Sequence, residues 1–384
     1  MNVVAIVAEF NPFHNGHKFL IEEAKRITNS DFVICIMSGS FTQAGNIAIY
    51  DKFYRANSAI ENGADLVIEL PTIYATASSQ LFSYGAIQIL NKLNVVSHIC
   101  FGSESGDIEI IDNIAKKTIK NDEMIWKEIS SELKSGISFA QAREHVLKNI
   151  LDEHEFNIFS KSNNILGIEY VKSLKILNSD IVPICIKRTE NNTTISATKI
   201  REMISNNIDI NDFIPINNID NDNKSLFNDH IFDLLKYEIL NNGISNLANI
   251  NGVVEGLENK IFNSIKEAKN YDELINLIKS KRYQMSKIKR ILLAILLNIT
   301  KEKFDRLYNN NVAYAHILAC SNNGKKLFSD ISKSQIPLIT SINEELLDSL
   351  EPLIKESVEL DIHASNIHSI LTNTKINKDY TNKL

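Results

Sequence analysis

An alternation running through the first 205 residues restricts the fold of this 384-residue chain more than any other feature. Short apolar, β-branched runs at Val3–Ala8, Phe32–Met37, Asp65–Leu70, Ser97–Phe101 and Ile181–Lys187 are each bounded by turn residues. Apolarity this continuous marks strands that are covered on both faces. Segments with helical spacing lie between them, at His17–Ile27, Asp51–Asn62, Ser78–Leu93, Ile108–Lys117 and Ile165–Leu177. Strands separated by crossover helices pair in parallel, which predicts an α/β, Rossmann-like, doubly wound parallel sheet with ligands at the carboxyl ends of its strands. A helical excursion over residues 121–150 interrupts the alternation.

A chain of 384 residues exceeds one ordinary core, so two domains are expected. Ser205–Lys224 is dense in Asn and Asp with few apolar anchors and reads as an interdomain linker or a long surface loop. The division is therefore a first domain over residues 1–205, a linker over 206–224 and a mainly helical domain over 225–384. That last part holds strand-like pieces at Ala313–Cys320 and Ile336–Ile339 and ends in a polar tail. No apolar stretch reaches the roughly 20 residues of a membrane span, and no basic region with a cleavable apolar segment opens the chain. Cys35, Cys100, Cys185 and Cys320 are far apart and form no CxxC pair. Reduced thiols, no metal centre and a cytoplasmic location are the expectation. The net charge of −6 is unevenly spread. Lys279, Lys281, Arg282, Lys287, Lys289 and Arg290 follow one another without an acidic residue between them. They form either a polyanion-binding face or the solvated flank of a helix with the core stripe Ile288, Ile291, Leu292, Ile295 and Leu296.

Chemistry enters directly after the first strand, at Asn11-Pro12-Phe13-His14-Asn15-Gly16-His17. Adenylyl transfer asks a protein to hold a triphosphate, offset the charge growing on the α-phosphate and departing pyrophosphate, and align the attacking oxygen. A helix N-terminus turns donors and a positive dipole end to an anion. Imidazoles add directed hydrogen bonds, and glycine permits close approach of the backbone. A second element, Ser196-Ala-Thr198-Lys-Ile-Arg201, sets hydroxyls before a helix and an arginine one turn into it, suited to β- and γ-phosphates. Phe101-Gly102-Ser103-Glu104 and Asn163-Asn164-Ile-Leu-Gly167 lie where an adenine or ribose would rest, although each also suits an ordinary turn.

The HxGH motif with the late Ser-x-Thr-x-x-Arg element resembles the nucleotidyltransferase superfamily. Longer strings resemble the bacterial tRNA(Met) cytidine acetate ligase family in particular: Glu9-Phe-Asn-Pro-Phe-His-Asn-Gly-His17, Met37-Ser-Gly39, Asp65-Leu-Val-Ile-Glu-Leu-Pro71, Phe101-Gly-Ser-Glu104, Asn163-Asn-Ile-Leu-Gly167, Ser196-Ala-Thr198 and Lys281-Arg-Tyr-Gln-Met-Ser-Lys-Ile-Lys-Arg290. The resemblance spans nearly the whole chain and implies a nucleotidyltransferase-type sheet domain followed by a helical RNA-binding one. It implies ATP-driven activation of acetate as acetyl-adenylate, then acetylation of the wobble cytidine of elongator tRNA(Met). The implied ATP-binding residues are Val7, Ala8, Glu9, Phe10, Asn11, Pro12, Phe13, His14, Asn15, Gly16, His17, Lys18, Phe19, Leu20, Gly102, Asn163 and Arg188. His14 and His17 are the implied catalytic pair, and Ser196, Thr198 and Arg201 the phosphate contacts. Magnesium would arrive on the nucleotide. The basic run from Lys279 to Arg290 gains a role as the tRNA-binding face.

One stretch departs from the family pattern. Relatives typically read Gln-Arg-Gly-Glu-Pro-Ala after the Met-Ser-Gly string, whereas this chain has Gln43-Ala44-Gly45-Asn46-Ile47-Ala48, with Lys52 and Arg55 remaining downstream. Two other readings stand beside the ligase. One is an adenylyltransferase acting on a small phosphorylated substrate, which needs no basic helical domain. The other is a non-catalytic RNA-binding protein that keeps ATP as a ligand.

Overall fold

The apolar runs become strands of one sheet. In a computed structural model, which describes residues 1–188, 195–215, 229–254, 256–280, 283–382 and 384, these are β1 (Val3–Ala8), β2 (Phe32–Ser38), β3 (Leu66–Leu70), β4 (His98–Ser103), β5 (Val182–Lys187), β6 (Ala315–Cys320) and β7 (Leu338–Ile339). The order is β5-β4-β1-β2-β3-β6-β7. β1 pairs in parallel with both β2 and β4, in registers Ala8↔Met37 and Ile6↔Cys100. Strand order reverses there, opening a crevice at the carboxyl end of β1, where open α/β sheets bind ligands.

Side chains alternate across the sheet with the period of a strand. Val3, Ala5, Ile34, Ile36, Leu66 and Ile68 face one core, shared with helices Ser79–Leu93 and Ser162–Ile176. Val4, Ile6, Val33, Cys35, Met37 and Val67 face the other, with residues of helices Asn15–Thr28 and Lys52–Glu61. The cysteines are free thiols; burial raises the pKa of Cys35 and pushes that of Cys100 up to about 12.

The sheet is not confined to residues 1–205. β6 runs antiparallel along β3, in registers Val67↔Ala319 and Ile68↔Ile317, and β7 pairs in parallel with β6. The strand-like pieces of the mainly helical segment thus cover the edge that β3 would expose, and an uncovered edge is a template for wrong pairing. Helices Asp229–Leu247, Leu257–Glu267, Tyr271–Ile278, Met285–Leu296 and Pro352–Leu371 make up most of the remainder. Within the expected linker, Ile210 and Ile214 are buried with Ile49, Tyr50, Ile200 and Ile204; residues 216–224 lie outside the described residues.

The expected polar tail is also anchored. Helix Lys378–Thr381 buries Asp379, whose Oδ1 lies 2.6 Å from Lys52 Nζ. Lys52 Nζ also donates to both oxygens of Glu69, at 2.9 and 2.8 Å, and Glu69 Oε2 is 2.8 Å from His316 Nδ1 on β6. Burial alone would depress the Lys52 ammonium, but Asp379 and Glu69 outweigh it and raise its pKa. Glu69, His316 and Asp379 bring ligand-type atoms within 4.8 Å of one another, yet the cation among them is the ammonium of Lys52.

Candidate active site

The loop leaving β1 is shaped by backbone contacts. Phe10 takes a left-handed φ of 47°, and Asn11 Oδ1 accepts the Ile49 N–H at 2.8 Å. Beneath it Arg55 is fully buried, donating to the carbonyls of Glu9 (2.6 Å), Ser38 (3.1 Å), Tyr50 (3.0 Å) and Gly39. Arg55 therefore clasps the ends of β1 and β2. Burial lowers its pKa to about 10, leaving it charged at neutral pH. Lys52 and Arg55 are both fully buried, so both cations downstream of the divergent stretch are spent inside the fold.

His14 is the N-cap of helix Asn15–Thr28. Its Nδ1 accepts the Gly16 N–H at 3.0 Å, and His17 Nδ1 accepts the His14 N–H at 3.3 Å. The rings stack with centroids 3.8 Å apart. A neutral imidazole that accepts at Nδ1 carries its proton on Nε2, so both rings present Nε2–H donors. Burial, with the charges of Arg188 and Arg201, lowers His14 to about 4; burial, with His14 and Arg188, takes His17 well below its ordinary value. Both are neutral donors at physiological pH. The backbone donors expected at this helix start are consumed, since the Asn15 N–H goes to the Phe213 carbonyl at 2.9 Å. A Cβ on Gly16 would stand 2.8 Å from His14 Cε1, so the glycine makes room for the folded imidazole.

The opposite wall is held by the two motifs after β4 and at the start of helix Ser162–Ile176. Glu104 accepts from Asn163 Nδ2 at 2.7 Å and from the Asn164 N–H at 2.9 Å, while Asn164 Oδ1 accepts from Ser103 Oγ at 2.8 Å. A Cβ on Gly167 would lie 2.4 Å from the Phe101 ring, which explains glycine there. From the third side, Ser196 caps helix Ala197–Ser205 by accepting the Lys199 N–H at 3.3 Å. Arg201 donates to Thr198 Oγ1 at 2.9 Å and to the Asn11 carbonyl at 2.8 Å.

These parts enclose a cavity of about 410 Å³. Of the residues singled out from the sequence, Val7, Ala8, Glu9, Phe10, Asn11, His14, His17, Leu20, Gly102, Asn163, Arg188, Ser196, Thr198 and Arg201 line it. Pro12, Phe13, Asn15, Gly16, Lys18 and Phe19 do not; Phe13 is buried in the core and Asn15 Nδ2 donates to the Asp212 carbonyl at 2.8 Å. Leu166 of the Asn163–Gly167 string lines it too, while sequence reasoning missed Phe82, Ser162 and Tyr170, which also line it. They sit on helices Ser79–Leu93 and Ser162–Ile176, which their spacing marks only as crossover helices, and only their nearness to the strand ends sets them apart. Among the described lining residues Glu9 is the carboxylate. Burial raises its pKa against the Gln43 N–H, 2.8 Å from Oε1, and the charges of Arg201 and Arg55.

The divergent stretch meets the basic helix at this cavity. Gln43 and Ala44 line it, and helix Met285–Leu296 packs on their loop. Lys289 Nζ donates to Asn46 Oδ1 at 2.9 Å, and Arg290 Nη1 donates to the Gln43 carbonyl at 3.3 Å. Burial lowers the pKa of both cations. Lys279 is exposed, Lys287 is half-buried with Nζ 5.0 Å from the Tyr283 ring centroid, and Lys281 and Arg282 lie outside the described residues.

A mostly parallel sheet with paired neutral imidazoles at its switch point, faced by Arg188 from the end of β5 and Arg201 from a second helix start, defines a nucleotidyltransferase site. The model of the family described as HIGH Nucleotidyl Transferase matches residues 1–383. A tRNA(Met) cytidine acetate ligase of Clostridium perfringens is 40% identical, over 99% of this chain and 98% of its own, and one of Clostridium acetobutylicum is 39% identical over 100% and 99%. The crystal structure of Thermotoga maritima TmcAL bound with alpha-thio ATP superimposes with a TM-score of 0.89 at 29% identity, covering 100% of this chain and 97% of that one. This chain belongs to the tRNA(Met) cytidine acetate ligase family of HIGH nucleotidyl transferases.

Proposed function

We propose that the protein activates acetate with ATP and transfers the acetyl group to N4 of the wobble cytidine of elongator tRNA(Met), yielding N4-acetylcytidine. The observation that carries this reading is the pair of neutral imidazoles, His14 and His17, set against Arg188 and Arg201 in one cavity of a chain from this family. An acetate oxygen attacks the α-phosphorus and the bond to the β-phosphate oxygen breaks, releasing pyrophosphate. His14 and His17 donate from Nε2 to the α-phosphate oxygens as their charge grows. Arg201, Thr198 and Ser196 hold the β- and γ-phosphates, and Arg188 with Asn163 borders the nucleoside. Acetate is already ionised at neutral pH, so this step asks for positioning and charge stabilisation, not a base. The cytidine N4 then attacks the acetyl carbon, the bond to AMP breaks, and N4 gives up a proton.

Magnesium fits as a passenger on the nucleotide. Among the described lining residues Glu9 is the carboxylate, and its Oε1 is taken by the Gln43 N–H. Phosphate oxygens and water would hold the ion, which would offset triphosphate charge. The tRNA would approach over the Lys279–Arg290 face in the cytoplasm; among the described residues no helix is long and apolar enough to cross a membrane.

The test uses purified protein, ATP, labelled acetate and bulk tRNA. Acetate-dependent pyrophosphate release and label in tRNA are expected. Pyrophosphate release that requires a mononucleotide in place of acetate would reassign the protein to cofactor synthesis, and ATP binding without turnover would make it a non-catalytic relative.

A further inference from the structure

A second, larger cavity of about 710 Å³ shares a wall with the first: Gln43, Ser162 and Leu166 line both. Nothing in the adenylation step uses it. Its rim carries Trp126 and Phe139, 45% and 36% exposed, from the helices of the 121–150 excursion, with ring centroids 6.1 Å apart. Partly exposed rings on a rim are large apolar surface left in water, and aromatic platforms of this kind receive unstacked bases of any sequence. Arg143, Lys287 and Arg290 line the same cavity and, among its described lining residues, no Asp or Glu does. Arg143 is also 3.6 Å from Glu169 Oε1 behind the lining, so the positive character of the cavity comes mainly from Lys287 and Arg290, and the cavity is aromatic at its mouth and of ligand-binding size.

We infer that this second cavity receives the acceptor base: an unstacked cytosine extruded from a single-stranded RNA loop, stacked at Trp126 and Phe139 with its phosphates against Arg143 and Lys287. The inference rests on the proposed acetate ligase reading. Contiguity commits the occupant. An amine that attacks an acyl group carried on the α-phosphate must arrive beside the adenylate, and the wall at Gln43, Ser162 and Leu166 is where the two cavities meet. The acceptor also has to leave its stack to be reached. The 121–150 excursion, which the sheet does not need, thereby acquires a purpose. It supplies the aromatic side of the cleft, while helix Met285–Leu296 supplies cations on the other side.

The experiment uses the full chain with Trp126→Ala and Phe139→Ala combined, and an anticodon stem-loop RNA carrying a fluorescent cytosine analogue at the wobble position. Wild type should quench the analogue as it stacks, and the double variant should not. The variant's kcat/KM for tRNA acetylation should fall about 10- to 100-fold, while acetate-dependent ATP–pyrophosphate exchange, which also reports a folded first site, stays within about twofold. Trp126→Phe with Phe139→Tyr keeps two rings and should recover both readouts. Should the alanine variant lose exchange as well, Phe139→Ala alone carries the test. Acetylation that survives the loss of both rings, or an analogue that wild type leaves unquenched, overturns the inference and leaves the ligase reading standing. Wild type that acetylates no tRNA overturns that reading, and this inference with it.

Discussion

At His14 and His17 one atom decides the chemistry. Each Nδ1 is committed to a backbone N–H, so the mobile proton sits on Nε2 and each ring acts as a neutral donor. His17→Ala removes one such donor from the growing α-phosphate charge. Acetate-dependent ATP–pyrophosphate exchange should drop about 100- to 1000-fold with circular dichroism unchanged, and retained exchange would strip the motif of this role. Burial of the His14 ring, with the charges of Arg188 and Arg201, also makes stability depend on pH. His14 falls from an ordinary 6.5 to about 4 in the native state. As pH drops, the unfolded chain binds the proton first, so the contribution is complete above about pH 6.5 and lost progressively down to about pH 4. The loss is on the order of 3 kcal/mol. Urea unfolding across that window should show it, and His14→Asn, still a good helix cap, should flatten the slope. The residue types and their spacing were legible in the chain; the tautomers were not, because they depend on which backbone N–H each ring meets.

Helix Met285–Leu296 shows how one element can join two readings that sequence kept apart. Its apolar stripe is buried as spacing required, with Ile288, Ile291, Leu292, Ile295 and Leu296 in the core. Its cations divide. Lys289 and Arg290 hold the 43–46 loop, and Gly45, at φ 78°, lets the helix backbone come so close that a Cβ would lie 2.7 Å from Arg290 N. Lys287→Ala should weaken tRNA binding alone, lowering the salt slope of log K by about 0.7. Lys289→Ala with Arg290→Ala should do this and also raise KM for ATP, because the loop they hold lines the nucleotide cavity. Equal ATP affinity in the two variants would show that the loop keeps its place without them. The alternating strands and helices of residues 1–205 were readable for a different reason: burial on both faces leaves a continuous apolar run that no surface element needs.

The whole molecule is locked where its C-terminal segment meets the first sheet. β6, helix Pro352–Leu371 and helix Lys378–Thr381 return to the first sheet, and Lys52 bridges Glu69 and Asp379 inside it. Asp361 on the long helix accepts the Thr72 N–H at 2.7 Å, and burial, with the charge of Glu69, raises its pKa. Lys52→Met would leave two buried carboxylates without their cation, at a cost of about 3–5 kcal/mol. The urea midpoint should fall accordingly, and a change below 1 kcal/mol would mean the carboxylates find other partners or protons. From sequence alone the chain already determined a parallel α/β sheet, a histidine pair at the end of β1 and the hydroxyl–arginine element that faces it, because each is written in local spacing. Only the tertiary structure decided that C-terminal strands complete that sheet, that the tail is a buried anchor, and that an aromatic cleft opens beside the nucleotide. Those features join residues hundreds of positions apart, and short polar or apolar stretches carry no local signal of the partner that will bury them.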